Sequence, residues 1–370
     1  MKKILITASR ASHINNFHLP YLEYFKSKGH MVDVAVEGEE PIPFADRIFN
    51  ITFYKKILSL KNIGSILQLK ALLSQNNYDL IISNSTLAGF ITRVALMLSK
   101  NKHSKLIHIS HGYLFSNNSP ALKKCIYILA EKLCIPATDV LLTMNREDLE
   151  IAVKYKLCSN DIINIPGMGI HCSPPCSPEK RTLIREHLGL SKEDIIMIYP
   201  GEFSDRKNQI FLIENFKKIK IYHPYIKLIL AGTGTKLEFC REKIHSDHLQ
   251  DVILTPGYIV DIKDTLCACD ISISSSKSEG LPFNIMEAMS LGLPVLASNV
   301  KGHSDLIENA ENGYLFDLDD EDTLFQAISS VMKDLSSDRI KDNNLKKIQS
   351  YTIETVFPLV VKIYETVLRP

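Results

Sequence analysis

Short apolar strands alternate with amphipathic helices along this chain; the alternation breaks at a proline-rich stretch and then begins again. Before the break come the strand-like KKILIT, HMVDVAVEG, YDLIISNS and KLIHISHGY. Helical patterns such as HLPYLEYFKSKG, ended by Gly29, and TLAGFITRVALMLSKN lie between them. After HCSPPCSPEK the order restarts with DIIMIYPGEFSDRKNQIFLIENF, IKLILAGTGTKLEFCREKI, DVILTPGY, DISISSS and LPVLAS. Strand–helix repeats of this kind build parallel sheets with right-handed crossovers, and ligands bind outside the carboxyl ends of their strands. The expectation is an α/β chain of two doubly wound Rossmann-like domains, residues 1–172 and 173–350, facing a central crevice. Residues 351–370 read as a C-terminal amphipathic helix that packs back on the first domain. A length of 370 residues suits two domains of ordinary size.

Composition removes several other classes. The apolar run in MKKILITASR is too short for a signal peptide, and no run reaches the roughly 18 residues of a membrane span. The eight cysteines show no paired C-x-x-C spacing. Together these predict a cytoplasmic protein with free thiols. His171, Cys172 and Cys176 could begin a metal site, but the prolines around them mark a linker. Net charge is only +1, and no nucleic-acid partner is expected. Residues 1–170 nevertheless carry 20 Lys and Arg against 13 Asp and Glu, the remainder 23 against 29. YKKILSLKNIGSILQLKALL and PALKKCIYILAEKLCI combine lysines with apolar residues, as helices lying on the inner face of an anionic membrane do. A core-facing helix has the same pattern.

KSEGLPFNIMEAM, residues 277–289, sets Glu279 and Glu287 eight positions apart around a Gly-Leu-Pro turn. DISISSS ends a strand, KSEGL crosses its carboxyl end, and Pro282 suits the first turn of a helix. That helix start offers N–H groups and the positive end of a dipole to a phosphate. Glu279 is placed to accept from hydroxyls beside the phosphate, and Glu287 from a vicinal diol. Hydroxyls, diphosphate and diol describe a nucleotide sugar, although the spacing alone fits two unrelated surface glutamates equally well. As a loop carboxylate, Glu279 should be removable at little cost in stability.

The S-E-G-x-P-x-x-x-x-E-A-M pattern, followed by SLGLPVLASNVKGHSDLIENAENGYLF, resembles the retaining glycosyltransferase family 4, which has the GT-B fold. YPGEFSDRKNQIFLIENF resembles its second signature. FHLPYLEYFKSKGHMVDVAVEG, SHGYLF and TDVLLTMNREDLEIA resemble the branch that builds bacterial exopolysaccharide, capsule and O-antigen units on a lipid carrier. The resemblance implies transfer, with retention, of a hexose or N-acetylhexosamine from a nucleotide sugar (a UDP-sugar by family habit) to a polyprenyl-diphosphate-linked sugar. By position, Glu279 would contact the transferred sugar and Glu287 the ribose, while backbone groups of Gly280, Leu281, Pro282, Phe283 and Asn284 cradle sugar and diphosphate. Lys207 would neutralise the diphosphate. The family's arginine after the glycine is replaced by Glu202, a charge reversal for which Arg206 can compensate. Gly232, in LILAGTGT, falls at the base-binding end. His111 would lie beside the sugar's reacting carbon. The loop ASRASHINNF lacks the family's glycine pair; His13, Asn15 and Asn16 stand there as candidates for holding the acceptor. The D-x-D within DLDD, near 317, reads as a surface charge run, so neither a metal nor another cofactor is expected.

Two other functions fit the same architecture. A sugar-nucleotide epimerase would need no E-x7-E spacing. A non-enzymatic nucleotide-sugar sensor or scaffold finds its support in Glu202. The sequence names neither sugar, linkage, base, acceptor nor oligomeric state.

Overall fold

The computed structural model describes residues 1–54, 59–101, 103–172 and 174–369, and divides into two compact units. The first comprises Met1–Gly169 and Ile353–Pro370, the second Ile170–Thr352. In the first, seven strands, β1 (Lys3–Thr7), β2 (Met31–Val36), β3 (Arg47–Asn50), β4 (Leu80–Asn84), β5 (Lys105–Ile109), β6 (Val140–Thr143) and β7 (Asp161–Asn164), form one sheet. The order is β3-β2-β1-β4-β5-β6-β7, and every pair is parallel. The central strands are buried on both faces, which is why LIISN reads as a continuous run and not as an alternation.

The second unit repeats the plan with β8 (Ile195–Pro200), β9 (Ile226–Ala231), β10 (Ile253–Gly257), β11 (Ile271–Ser274), β12 (Val295–Ser298) and β13 (Gly313–Phe316), in the order β10-β9-β8-β11-β12-β13. Chain direction across each sheet reverses at one place, between β1 and β4 in the first unit and between β8 and β11 in the second. Such switch points are where doubly wound sheets open a crevice at the strands' carboxyl ends.

The C-terminal helix Ile353–Leu368 belongs to the first unit. Tyr364, fully buried, stacks on Phe25 with ring centroids 5.6 Å apart and meets Tyr21 edge-on at 5.8 Å. The Tyr21 hydroxyl donates to the Met168 carbonyl at 2.9 Å. ASRASHINNF, expected as a loop, is helical over Ala11–Phe17. The acids of DLDD serve local structure: Asp320 caps the helix Glu321–Asp334, and Asp317 accepts from the Asp319 amide at 3.0 Å. Among the described residues no helix is long and apolar enough to cross a membrane.

Candidate active site

In the second unit the loop after β11 carries Glu279, and two cations from the loop after β8 close on it. Lys207 Nζ lies 2.8 Å from Glu279 Oε1 and Arg206 Nη1 2.8 Å from Oε2. The Ser276 hydroxyl donates to Oε1 at 2.6 Å, and Arg206 also donates to the Ser278 carbonyl at 3.0 Å. Glu279 and Lys207 are each about 8% exposed, whereas half of the Arg206 side chain is open. Burial raises the Glu279 pKa, but the adjacent Lys207 and Arg206, with help from His303, override it and hold the carboxyl at about 2. For Lys207, burial outweighs Glu279's attraction and lowers the ammonium below its usual range.

Why Glu279 points this way follows from a layer of polar groups that the sequence reading passed over. Ser274, Ser275 and Ser276 are fully buried at the end of β11. The Ser275 hydroxyl donates to the Asn208 carbonyl at 2.9 Å, and the Tyr199 hydroxyl donates to the Lys207 carbonyl at 2.7 Å, so both pin the loop that carries the two cations. His303 Nδ1 donates to the Ser298 carbonyl at 2.8 Å, leaving Nε2 to accept from Ser274 at 3.2 Å. Burial lowers the His303 pKa to about 4 and keeps the ring neutral. Three buried serines in a row at a strand end were the available signal.

The helix Phe283–Ser290 begins next to Glu279, with Pro282 as the residue before its first turn and not within it. Leu281 and Pro282 are buried, and the Asn284 carboxamide ties the helix start to the Pro200 carbonyl at 3.1 Å. Asn284's side chain is thus committed to the fold; what it can offer a ligand is its backbone amide, in the turn where helix N–H groups lack intrahelical acceptors. Glu287 is half-buried on the same helix, and burial raises its pKa. Gly280 packs beneath Gly302, where a Cβ would come within 2.8 Å of the Gly280 carbonyl. Gly232 has a structural reason to be glycine: its φ is +148°, and a Cβ would sit 2.0 Å from the Gly201 carbonyl. Gly232→Ala should cost about 3 kcal/mol, read as a fall in the urea midpoint. Glu202 is exposed, with its carbonyl accepting from Gln209 at 3.1 Å.

The Glu279 cluster also makes a pH prediction. A folded pKa of about 2, below the unfolded 4.5, means the carboxylate stabilises the fold above pH 4.5. That stabilisation, about 3 kcal/mol, is lost as pH falls from 4.5 towards 2. His303, whose pKa falls from 6.5 to about 4, weakens the fold over a higher window, as pH drops from 6.5 to 4. Urea midpoints between pH 4 and 2 should decline steeply in the wild type and far less in Glu279→Gln.

In the first unit, His13, His18 and His111 converge beside the β1/β4 switch point. His111 Nε2 lies 3.2 Å from His13 Nε2 and 3.1 Å from Asn84 Oδ1. Asn84's amide nitrogen donates to the Thr7 carbonyl at 3.2 Å, so its oxygen faces His111 and sets the proton on His111 Nε2. Burial holds all three histidines neutral, His13 at about 4 and the other two well below their usual value. A cavity of about 400 Å3 opens beside His13, with Arg10, Asn16, Phe17, Glu37 and Ser85 also among its walls. Ser85 has a φ of +64°, a conformation side chains seldom adopt, and its hydroxyl meets that of Ser9 at 2.8 Å. Of the three predicted acceptor residues the structure brings His13 and Asn16 to this cavity. Asn15 is a correction: the helix turns it away, and its amide donates to the Pro41 carbonyl at 3.2 Å. Arg10, Glu37, Ser85 and Asn84 were missed, since no motif marks them.

Two family models match successive stretches of the chain: "Glycosyl transferase 4-like" over residues 3–145 and "Glycosyl transferases group 1" over residues 180–347. A protein of Bacillus subtilis (strain 168) named as glycosyltransferase EpsD is 29% identical over 332 residues, 89% of this chain and 87% of its own length. The Escherichia coli UDP-Gal:alpha-D-GlcNAc-diphosphoundecaprenol alpha-1,3-galactosyltransferase is 26% identical over 287 residues, covering 76% of this chain and 74% of that protein. Anabaena HepE, solved in complex with UDP-glucose, superposes with a TM-score of 0.78 at 17% identity, over 99% of this chain and 100% of its own. Fold and site together define a glycosyltransferase of GT-B fold. The chain belongs to glycosyltransferase family 4.

Proposed function

We propose that this enzyme transfers a hexose or N-acetylhexosamine, with retention, from a UDP-sugar to a polyprenyl-diphosphate-linked sugar in the assembly of a bacterial surface polysaccharide. The observation that carries the donor half is the buried Glu279 carboxylate clasped by Lys207 and Arg206 at the start of the helix Phe283–Ser290. On this reading Glu279 accepts from the sugar hydroxyls. The helix start and Lys207 stabilise the departing diphosphate in the role a metal fills elsewhere, so no metal is needed for the donor. Arg206, the open cation, swings from Glu279 to the diphosphate and replaces the arginine lost at Glu202. Glu287 takes the ribose diol, and His111 of the first unit works on the transferred sugar. UDP is supported by the donor named for the Escherichia coli relative and the ligand of the Anabaena structure. The lipid-linked acceptor is supported by the diphosphoundecaprenol in the former's name.

A lipid-linked acceptor requires the enzyme to reach a membrane, and the exposed apolar face of the helix Ala121–Leu133 supports that reading. Leu122, Ile126, Leu129 and Leu133, spaced along one face, are all exposed, Leu122 by 74%. Its buried residue is Glu131, held by Arg93 through bonds of 2.8 and 3.0 Å. An ion pair docks the helix inward while the leucines, flanked by Lys123, Lys124 and Lys132, face out. Leu60, Ile63 and Leu67 are exposed likewise; residues 55–58 of that expected segment lie outside the described residues. Leu122→Glu/Leu129→Glu should weaken binding to anionic vesicles at least tenfold in co-sedimentation, with the soluble fold unchanged.

The function is tested by incubating the protein with UDP- and GDP-sugars and a membrane lipid extract. Release of nucleoside diphosphate that depends on the lipid supports the reading; a free sugar nucleotide altered without acceptor would replace it with an epimerase.

A further inference from the structure

We propose that His13, His18 and His111 form a binding site for a divalent transition-metal ion of the zinc type, and that filling it withdraws His111 from the transferred sugar and shuts transfer off. The shut-off rests on the role given to His111 above; the metal site does not.

The three ring nitrogens lie within 4.8 Å of one another. A tetrahedral zinc ion with Zn–N bonds of about 2.0–2.1 Å separates its nitrogen ligands by about 3.3 Å. His13 and His111 already stand at 3.2 Å, and His18 completes the set with a shift of about 1 Å at most per ring. Imidazole is the side chain that suits zinc, copper and nickel, and three such ligands leave the fourth position open.

Two observations point to an ion at this place. His18 is 1% exposed and its Nε2 has no hydrogen-bond partner, which costs a buried polar atom its lost hydration. A coordinated ion supplies the missing partner. The second is the crowding of acceptors around one proton. His13 Nε2 and Asn84 Oδ1 both approach His111 Nε2, at 3.2 and 3.1 Å, and share its single hydrogen. On metal binding that proton moves to His111 Nδ1 and the lone pair of Nε2 goes to the ion, so no net charge or redox change is asked of the protein. The cavity beside His13 gives the ion a way in. Once ligated, His111 Nε2 has neither proton nor lone pair for the sugar.

The test is a cobalt(II) titration of the full chain, followed by visible absorption. The expected result is one equivalent bound with tetrahedral ligand-field bands and no thiolate-to-cobalt charge transfer. His18→Leu, which replaces a partnerless buried atom by an apolar one and should melt no lower than the wild type, should weaken binding at least tenfold. His13→Gln should do the same, and decides the matter if His18→Leu fails to fold. Zinc should inhibit wild-type transfer at the concentrations that load the site, whereas His18→Leu, each rate taken relative to its own metal-free rate, resists zinc at least tenfold. A thiolate band, the absence of stoichiometric binding, or unchanged affinity in both variants would overturn the site. Loading without inhibition would overturn the shut-off alone. Failure to find any transfer without metal would count against the functional reading, and the cobalt titration would still decide the site.

Discussion

Glu279→Ala will cut transfer at least about a hundredfold and will also destabilise the second unit, two losses that the sequence reading would have separated. As a loop carboxylate, Glu279 looked removable at little cost. The structure corrects that: it is about 8% exposed and holds the buried Lys207 at 2.8 Å. Taking one partner from a buried pair leaves the other charge without compensation, at a cost of about 3–5 kcal/mol. The activity loss should be about 10²–10³-fold or more, since contacts that stabilise developing charge carry the rate and Lys207 loses its position as well. Urea denaturation and initial rates of nucleotide release measure the two effects. Glu279→Gln keeps the shape and should recover part of the stability while transfer stays low. In the double variant Glu279→Gln/Lys207→Met, stability should rise again and activity should not. A Glu279→Ala protein as stable as the wild type and equally fast would remove Glu279 from the site.

What could be read in the sequence and what could not divide along a physical line. Strand–helix alternation has a period that side chains print directly, so the parallel sheets followed from runs such as KLIHI and LIISN. The helix at 283 with Glu279 before it was readable from the spacing in KSEGLPFNIMEAM, and Lys207 from the resemblance carried by YPGEFSDRKNQIFLIENF; the structure sets Lys207 2.8 Å from Glu279. The orientation of these groups was not readable, because it depends on contacts far apart in the chain. His303 reaches Ser274 across 29 positions, and Tyr199 reaches Ser276 across 77. Asn15 failed for a local reason: the helix over Ala11–Phe17, unforeseen in ASRASHINNF, turned it away while keeping His13 at the cavity. The face of Ala121–Leu133 was ambiguous for a third reason. Outward and inward apolar stripes have the same spacing, and the buried Arg93–Glu131 pair that decides between them spans 38 positions.

His111→Ala should lower kcat about 10²–10³-fold while leaving affinity for the nucleotide unchanged. The two parameters separate because the groups proposed to hold the nucleotide (Arg206, Lys207, Glu287 and the helix start) all belong to the second unit, whereas His111 belongs to the first. Its ring is fixed before any ligand arrives: Asn84 Oδ1 at 3.1 Å orients Nε2, and Asn84 is itself anchored to the Thr7 carbonyl. A donor held in place in advance contributes through positioning, which is worth large factors in rate and little in ground-state binding. Asn84→Ala acts through His111 and should therefore give a smaller loss, about tenfold, again in kcat and not in nucleotide affinity. Calorimetric titration with UDP and steady-state rates in the presence of a chelator separate these quantities, the chelator ensuring that the rates are those of the metal-free site. If His111→Ala weakens UDP binding as much as it slows turnover, the ring supports the fold and not the reaction; if kcat is untouched, another group works on the transferred sugar.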